Sequence, residues 1–173
     1  MKQQNFNEND FDDSVDKAEE LSKKHLAKAY RLQLSGHVEE AIEEYKMSIS
    51  ILPTAEGWAF LGWAYSFLKN YKEAIACCKE GIEVDPEFGN CWNDIGAYLI
   101  LQNKHDEAKH YLYRALEAQR YATKHFPHYN LGRILERQGK WFEALEEYHE
   151  ALEIEPSYSM AIESAVRLQA LMN

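Results

Sequence analysis

His125 and His128 stand three residues apart, a spacing that places two imidazoles on one face of a helix and could begin a metal site. A site needs further ligands in a recognisable order, and neither H-E-x-x-H nor C-x-x-C occurs, so no metal is expected. Cys77, Cys78 and Cys91 could supply thiolates, but two are adjacent and the three read as free, packed thiols rather than nucleophiles. Glu39, Glu40, Glu43 and Glu44, with Glu143, Glu146 and Glu147, look like paired general acids only if spacing is ignored; they belong to outward, solvated helix faces. There is no G-x-S-x-G elbow, no Walker loop and no G-x-G-x-x-G after a strand. With no acid, base, nucleophile and metal converging, the sequence argues against an enzyme, and no catalytic residue or cofactor is assigned.

What remains is surface recognition, and charge limits its kind. The chain has 173 residues, 46% hydrophobic and 28% charged, with eight Gly and four Pro, an ordinary globular make-up. A net charge of −10 repels a phosphate backbone or an anionic bilayer, so neither nucleic acid nor membrane is expected as a partner. Met1 to Glu20 carries seven Asp or Glu against two Lys, and residues 1–13 read as a disordered acidic tail. No apolar signal region precedes it, and the longest apolar stretch, Trp58 to Tyr65, falls far short of the ~20 residues that span a bilayer. The odd cysteine count and the absence of N-x-S/T fit a reducing compartment, so the expected location is cytoplasmic.

Self-comparison reveals the elements that must position any binding residue. With units started at Ser22, Ala55, Gly89 and His125, the columns agree at a period near 34. The eighth position reads Ala29, Gly62, Gly96 and Gly132; the twentieth Ala41, Ala74, Ala108 and Ala144; the twenty-seventh Ser48, Gly81, Ala115 and Ala151. Small side chains let helix axes approach closely, so these columns mark where a first helix meets its second and where that meets the next unit. Large residues alternate with them: Leu32, Tyr65, Leu99 and Leu135 in the eleventh column, Tyr45, Cys78, Leu112 and Tyr148 in the twenty-fourth. Pro53, Pro86 and Pro156 share a column after each second helix, and Gly36, Lys69, Asn103 and Gly139 suit the turns between. The pattern predicts helices near 14–35, 38–51, 55–68, 71–84, 88–101, 105–122, 126–137, 141–154 and 158–171, and no strands.

These residues resemble the tetratricopeptide repeat family. Trp58-x2-Leu61-Gly62-x2-Tyr65 with Ala74, Gly81 and Pro86 carries the likeness best. Trp92-x2-Ile95-Gly96 with Ala108 and Ala115, and Leu131-Gly132 with Ala144, Tyr148, Ala151 and Pro156, follow it closely. The resemblance implies an all-α, right-handed superhelix of four hairpins, at about 22–54, 55–88, 89–124 and 125–156 within residues 14–156, with 157–173 as a capping helix. Unit one is atypical, with His25 and Lys28 in the Trp and Leu columns, as an array end that faces water should be. Unit three has Arg120 in the Pro column and two extra residues before His125, which should lengthen its second helix. His128, in the Trp column of unit four, reads as a packing residue.

One stripe of each first helix, at positions four, seven, eight and eleven, supplies the core. A second, about 100° further round, holds Leu26, Tyr30, Phe60, Trp63, Phe67, Asn93, Ala97, Tyr129, Asn130 and Arg133. In the family these positions line the concave groove, so the resemblance implies a groove aromatic at one end and polar at the other. Such a groove would bind a peptide or amphipathic helix of a partner protein, with Asn93, Asn130 and Arg133 free to bond it. The alternative is that some of these aromatics are core, or are covered by the last helix. Leu26 and Tyr30 stand where relatives that clamp chaperone C-termini use Lys and Asn, which disfavours that role. Two further readings are a cytosolic chaperone for secreted or assembly subunits, and a self-assembling homo-oligomer.

Overall fold

The computed structural model describes the backbone of residues 8–172 and the side chains of residues 15–172. Among them the helices run α1 (Glu8–Leu34), α2 (Val38–Ile51), α3 (Ala55–Phe67), α4 (Tyr71–Val84), α5 (Gly89–Leu101), α6 (His105–Glu117), α7 (His125–Arg137), α8 (Trp141–Ile154) and α9 (Ser159–Met172), with no strand among the described residues. Consecutive helices pair into four hairpins, α9 lies on α8, and the stack is a right-handed all-α solenoid. The first helices α1, α3, α5 and α7 also touch one another in order, which makes them the inner layer.

The small columns are sterically required. A Cβ on Gly96 would come within 2.5 Å of Leu112, one on Gly132 within 2.5 Å of the Tyr148 ring, and one on Gly81 within 2.6 Å of Cys91 Sγ. The first two hold a helix against its own partner and the third holds α4 against α5. All four turn residues have left-handed backbone, Gly36 and Gly139 with φ of 86° and 73°, Lys69 and Asn103 with 57° and 61°. That conformation costs an L-residue energy that glycine does not lose.

The outer hairpins are each also joined by two polar cross-pairs, and the residues at the same columns divide the array. In the outer units His25 Nδ1 meets Glu44 Oε2 at 2.6 Å and His128 Nδ1 meets Glu147 Oε2 at 2.8 Å. The Tyr45 hydroxyl donates to Gln33 at 2.9 Å and that of Tyr148 to Glu136 at 2.8 Å, again at matching positions. The inner units place Trp58 and Cys77, or Trp92 and Tyr111, in the first pair of columns, and Cys78 and Leu112 in the tyrosine column. Trp92 and Tyr111 lie with ring centres 6.0 Å apart. His128 is therefore a hydrogen-bonding residue as well as a packing one.

Two expectations are corrected. Helix α1 already runs from Glu8, so residues 8–13 of the expected tail are helical, while residues 1–7 lie outside the described ones. The second helix of unit three is not lengthened: α6 ends at Glu117, and the extra residues form an extended strap. The strap satisfies its backbone against the turn before α5, Arg120 N donating to Glu87 O at 2.9 Å and Gly89 N to Arg120 O at 3.3 Å. This turns Tyr121 inward over Gly89, which has no side chain to block it, and sends Arg120 to Glu56 at 2.6 Å and to Asp85. A longer helix would expose Tyr121, now buried to 6%.

Gly132→Ala should destabilise the fold by about 1–3 kcal/mol in urea denaturation, because the buried Tyr148 ring is held by its hydroxyl and has no room to move. Lys69→Gly should do the reverse and stabilise it by about 0.5–1 kcal/mol, by relieving the left-handed strain at an exposed turn.

Candidate functional site

The site begins with α3, whose sequence AEGWAFLGWAYSF is apolar almost all the way round. Thr54 caps it, its hydroxyl accepting from Gly57 N at 3.0 Å. One face, with Leu61, Gly62 and the partly buried Tyr65, packs against α4. That leaves Phe60, Trp63 and Phe67, spaced three and four apart, on a second face. The Trp63 ring lies 6.4 Å from Phe60 and 5.2 Å edge-on from Phe67. Tyr30 of α1 completes the cluster at 5.7 Å from Phe60 and 6.2 Å from Trp63. Phe60 is in turn stacked on buried Tyr45 at 5.9 Å, which ties the cluster to the core. Tyr30 and Phe67 are still 41% and 54% exposed, so a contiguous apolar surface faces the inner side.

Beside these rings is a cavity of about 300 Å³, which Tyr30, Phe60 and Trp63 share with Phe88, Glu56 and Asp94. Ala59 and Asn90 also border it. Asp94 receives a hydrogen bond from Asn93 Nδ2 at 3.3 Å, and burial pushes its carboxyl up to about 7 against that bond. The bond extends a chain that begins at Arg133: the guanidinium donates to Asn130 Oδ1 at 3.1 Å, and Asn130 Nδ2 donates to Asn93 Oδ1 at 3.2 Å. Asp94 follows Asn93 on α5 and was not among the groove residues expected from the sequence. Asn90 lies four residues before Asp94, and that helical spacing was the available signal; Phe88 and Glu56 carried none.

The expected groove residues divide accordingly. Tyr30, Phe60, Trp63 and Phe67 form one surface. Leu26 instead packs onto the core between units one and two, and Ala97 is a part-exposed spacer on α5. Asn93 and Asn130 are buried, 7% and 6% exposed, and already bonded to each other, so they are not free to meet a ligand. Tyr129 is buried against Tyr148 and against Tyr158, the latter at 5.2 Å. Helix α9 thus covers only the far end of the stripe, where Arg167 makes a two-pronged contact with Glu136 at 2.5 and 2.9 Å. Arg133 remains there, its guanidinium 5.7 Å from the Tyr129 ring, beside a smaller cavity of about 210 Å³.

No catalytic arrangement appears among these groups. Burial pushes the Cys77 thiol up to about 12, and a bond to Cys91 together with burial raises Cys78, which keeps both protonated. Glu44 and Glu136 are held below the usual carboxylate range, chiefly by Lys28 and Arg167 respectively. Among the described residues no group of three or more metal-binding side chains is gathered, and no helix is long and apolar enough to cross a membrane.

Family models described as tetratricopeptide repeat match residues 55–88, 89–121 and 125–158. The chain belongs to the tetratricopeptide repeat family. The α1–α2 hairpin adds a further repeat that those models do not reach. A tetratricopeptide repeat-containing protein of Caenorhabditis elegans, trd-1, is 26% identical over 144 residues, which are 80% of this chain and 18% of that protein. The chain therefore spans under a fifth of that relative. Among solved structures, PilF of Pseudomonas aeruginosa superposes with a TM-score of 0.83 at 18% identity, covering 90% of this chain and 70% of PilF. PilW, described as a type IV pilus biogenesis factor, gives 0.78 at 19%, covering 87% and 69%. These two share the repeat solenoid with the chain.

The raised carboxyl yields a signed prediction. The folded pKa of Asp94 lies above its ordinary 3.8, so its ionised form opposes folding. That cost is absent below about pH 4, grows as the pH rises toward 7, and is full above it. Asp94→Asn should therefore be more stable than wild type at pH 8, on the order of 2 kcal/mol after allowance for solvent contact, with the difference vanishing near pH 4. Paired urea denaturations at the two pH values check this.

Proposed function

We propose that the chain is a non-catalytic protein-interaction module whose inner groove, along α1, α3 and α5, holds a segment of a partner protein. The observation that carries this reading is the ring cluster of Tyr30, Phe60, Trp63 and Phe67, contiguous, partly exposed and braced from beneath by Tyr45. Exposed apolar surface of this kind is costly in water and marks binding sites, and aromatic anchors dominate the energy of such interfaces. Because the rings already hold one another, the ordering cost of binding falls on the incoming segment alone. Family membership supports the same reading, since repeats of this kind present curved surfaces to proteins. The charge of −10 supports a polypeptide partner over a phosphate backbone or an anionic bilayer.

The test uses decapeptides selected by phage display against the full chain. Trp63→Ala should weaken the selected peptides by about 30-fold or more in calorimetric titration, as loss of a central aromatic anchor does, a larger free-energy loss than the same variant shows in urea denaturation. Equal affinity for wild type and variant would remove the groove from the account.

A further inference from the structure

The cavity beside the ring cluster has an unusual combination of walls. Tyr30, Phe60, Trp63 and Phe88 supply aromatic surface, and Asp94 and Glu56 supply carboxylates. Neither half explains the other. An apolar anchor seated there would strand the Asp94 carboxyl, whose hydrogen bond is the 3.3 Å contact from Asn93, with no cation paired to it among the described residues. An anionic anchor would meet two carboxylates. A cation satisfies both, because ring faces attract positive charge and a carboxylate neutralises it.

The chain already uses this chemistry at the rim of the cavity. The Arg120 guanidinium sits 5.5 Å from the centre of the Phe88 ring and bonds Glu56 at 2.6 Å. It thereby occupies one aromatic-and-carboxylate pair among the residues that line the cavity. The second set, Tyr30, Phe60 and Trp63 with Asp94, has no such cation. A volume of about 300 Å³ is at the small end for ligand pockets and suits one side chain rather than a folded element.

We propose that this cavity receives the guanidinium or ammonium group of an arginine or lysine on the partner segment, held between the Tyr30–Phe60–Trp63 rings and the Asp94 carboxylate. The proposal rests on the groove reading above and adds the chemistry of the anchor. It predicts that partners carry a basic residue beside the apolar residue that covers Phe67.

The first experiment uses N-acetyl-arginine amide as the probe, with N-acetyl-citrulline amide as its neutral counterpart of the same shape, followed by ¹H–¹⁵N correlation spectra of the full chain. The arginine probe should shift the Trp63 indole resonance in a saturable way, and citrulline should bind about tenfold more weakly or not at all. Asp94→Asn, which keeps size and can still accept from Asn93, should weaken the arginine probe about fivefold; Tyr30→Leu, which keeps apolar bulk but removes a ring, should weaken it similarly. Equal response to arginine and citrulline, or unchanged affinity in Asp94→Asn, would overturn the proposal. The displayed decapeptides separate the two readings. Selected peptides that need Trp63 but carry no basic residue would overturn the cation pocket and leave the groove standing, whereas peptides indifferent to Trp63→Ala would remove the groove itself. Peptides enriched in Arg or Lys that lose affinity in Asp94→Asn are the expected result.

Discussion

The array depends on the close approach of helices at two recurring points. At the eighth column a first helix passes its partner with space for at most a methyl group, and at Gly96 and Gly132 not even that. At the twenty-seventh column, where Gly81 faces Cys91, each hairpin meets the next. Both contacts are set by the absence of side-chain volume, and larger neighbours such as Leu112 and Tyr148 fill the space this leaves. Once these distances are fixed, one face of each first helix is committed to the core. The other face turns to the inner side, where Asn93, Asn130 and Tyr129 are buried but α3, apolar almost all the way round, both holds the stack and leaves rings on the surface.

Within that frame the outer and inner hairpins use different means to the same end. The ends of the array join their helices by His–Glu and Tyr–Gln or Tyr–Glu bonds, and the middle does so with tryptophan, cysteine and leucine. The Tyr45–Gln33 pair is buried, so a hydrogen bond stands inside the outer hairpins where the middle ones place Cys78 and Leu112, whereas the His–Glu pairs are partly exposed. Glu44 shows the local consequence, since Lys28 and His25 share its carboxylate at the exposed edge of unit one.

Much of this was legible in the sequence because it is written as periodicity. The small columns and the turn residues recur at fixed intervals, and Phe60, Trp63 and Phe67 stand three and four apart on one helix, so each has a local reason to be where it is. The strap was not legible, because the two extra residues after α6 carry no helix-breaking Gly or Pro; what ends that helix is the tertiary pairing of Arg120 with Glu87 and the seating of Tyr121 over Gly89. The polar residues of the groove failed for a similar reason. Asn93 and Asn130 lie on neighbouring helices whose closeness only the fold creates, so side chains that looked free proved to be each other's partners. Asp94 is the complement: an unremarkable acid in the sequence, it acquires its character from what surrounds it.

The strap has a mechanical meaning. A stack of hairpins in which each touches only its neighbours flexes like a spring, with every joint able to change pitch a little. Arg120, at the end of unit three, reaches back across a whole unit to Glu56 at the start of α3, and on its way it fastens to Asp85 at the end of α4. That clip adds a second tie between units two and three, which the joints between units one and two and between units three and four lack among the described ion pairs. The stretch it ties carries Phe60, Trp63, Phe88, Glu56 and Asp94, whereas Tyr30 belongs to unit one, so bending at the first joint moves one ring of the cavity against a wall that keeps its own spacing.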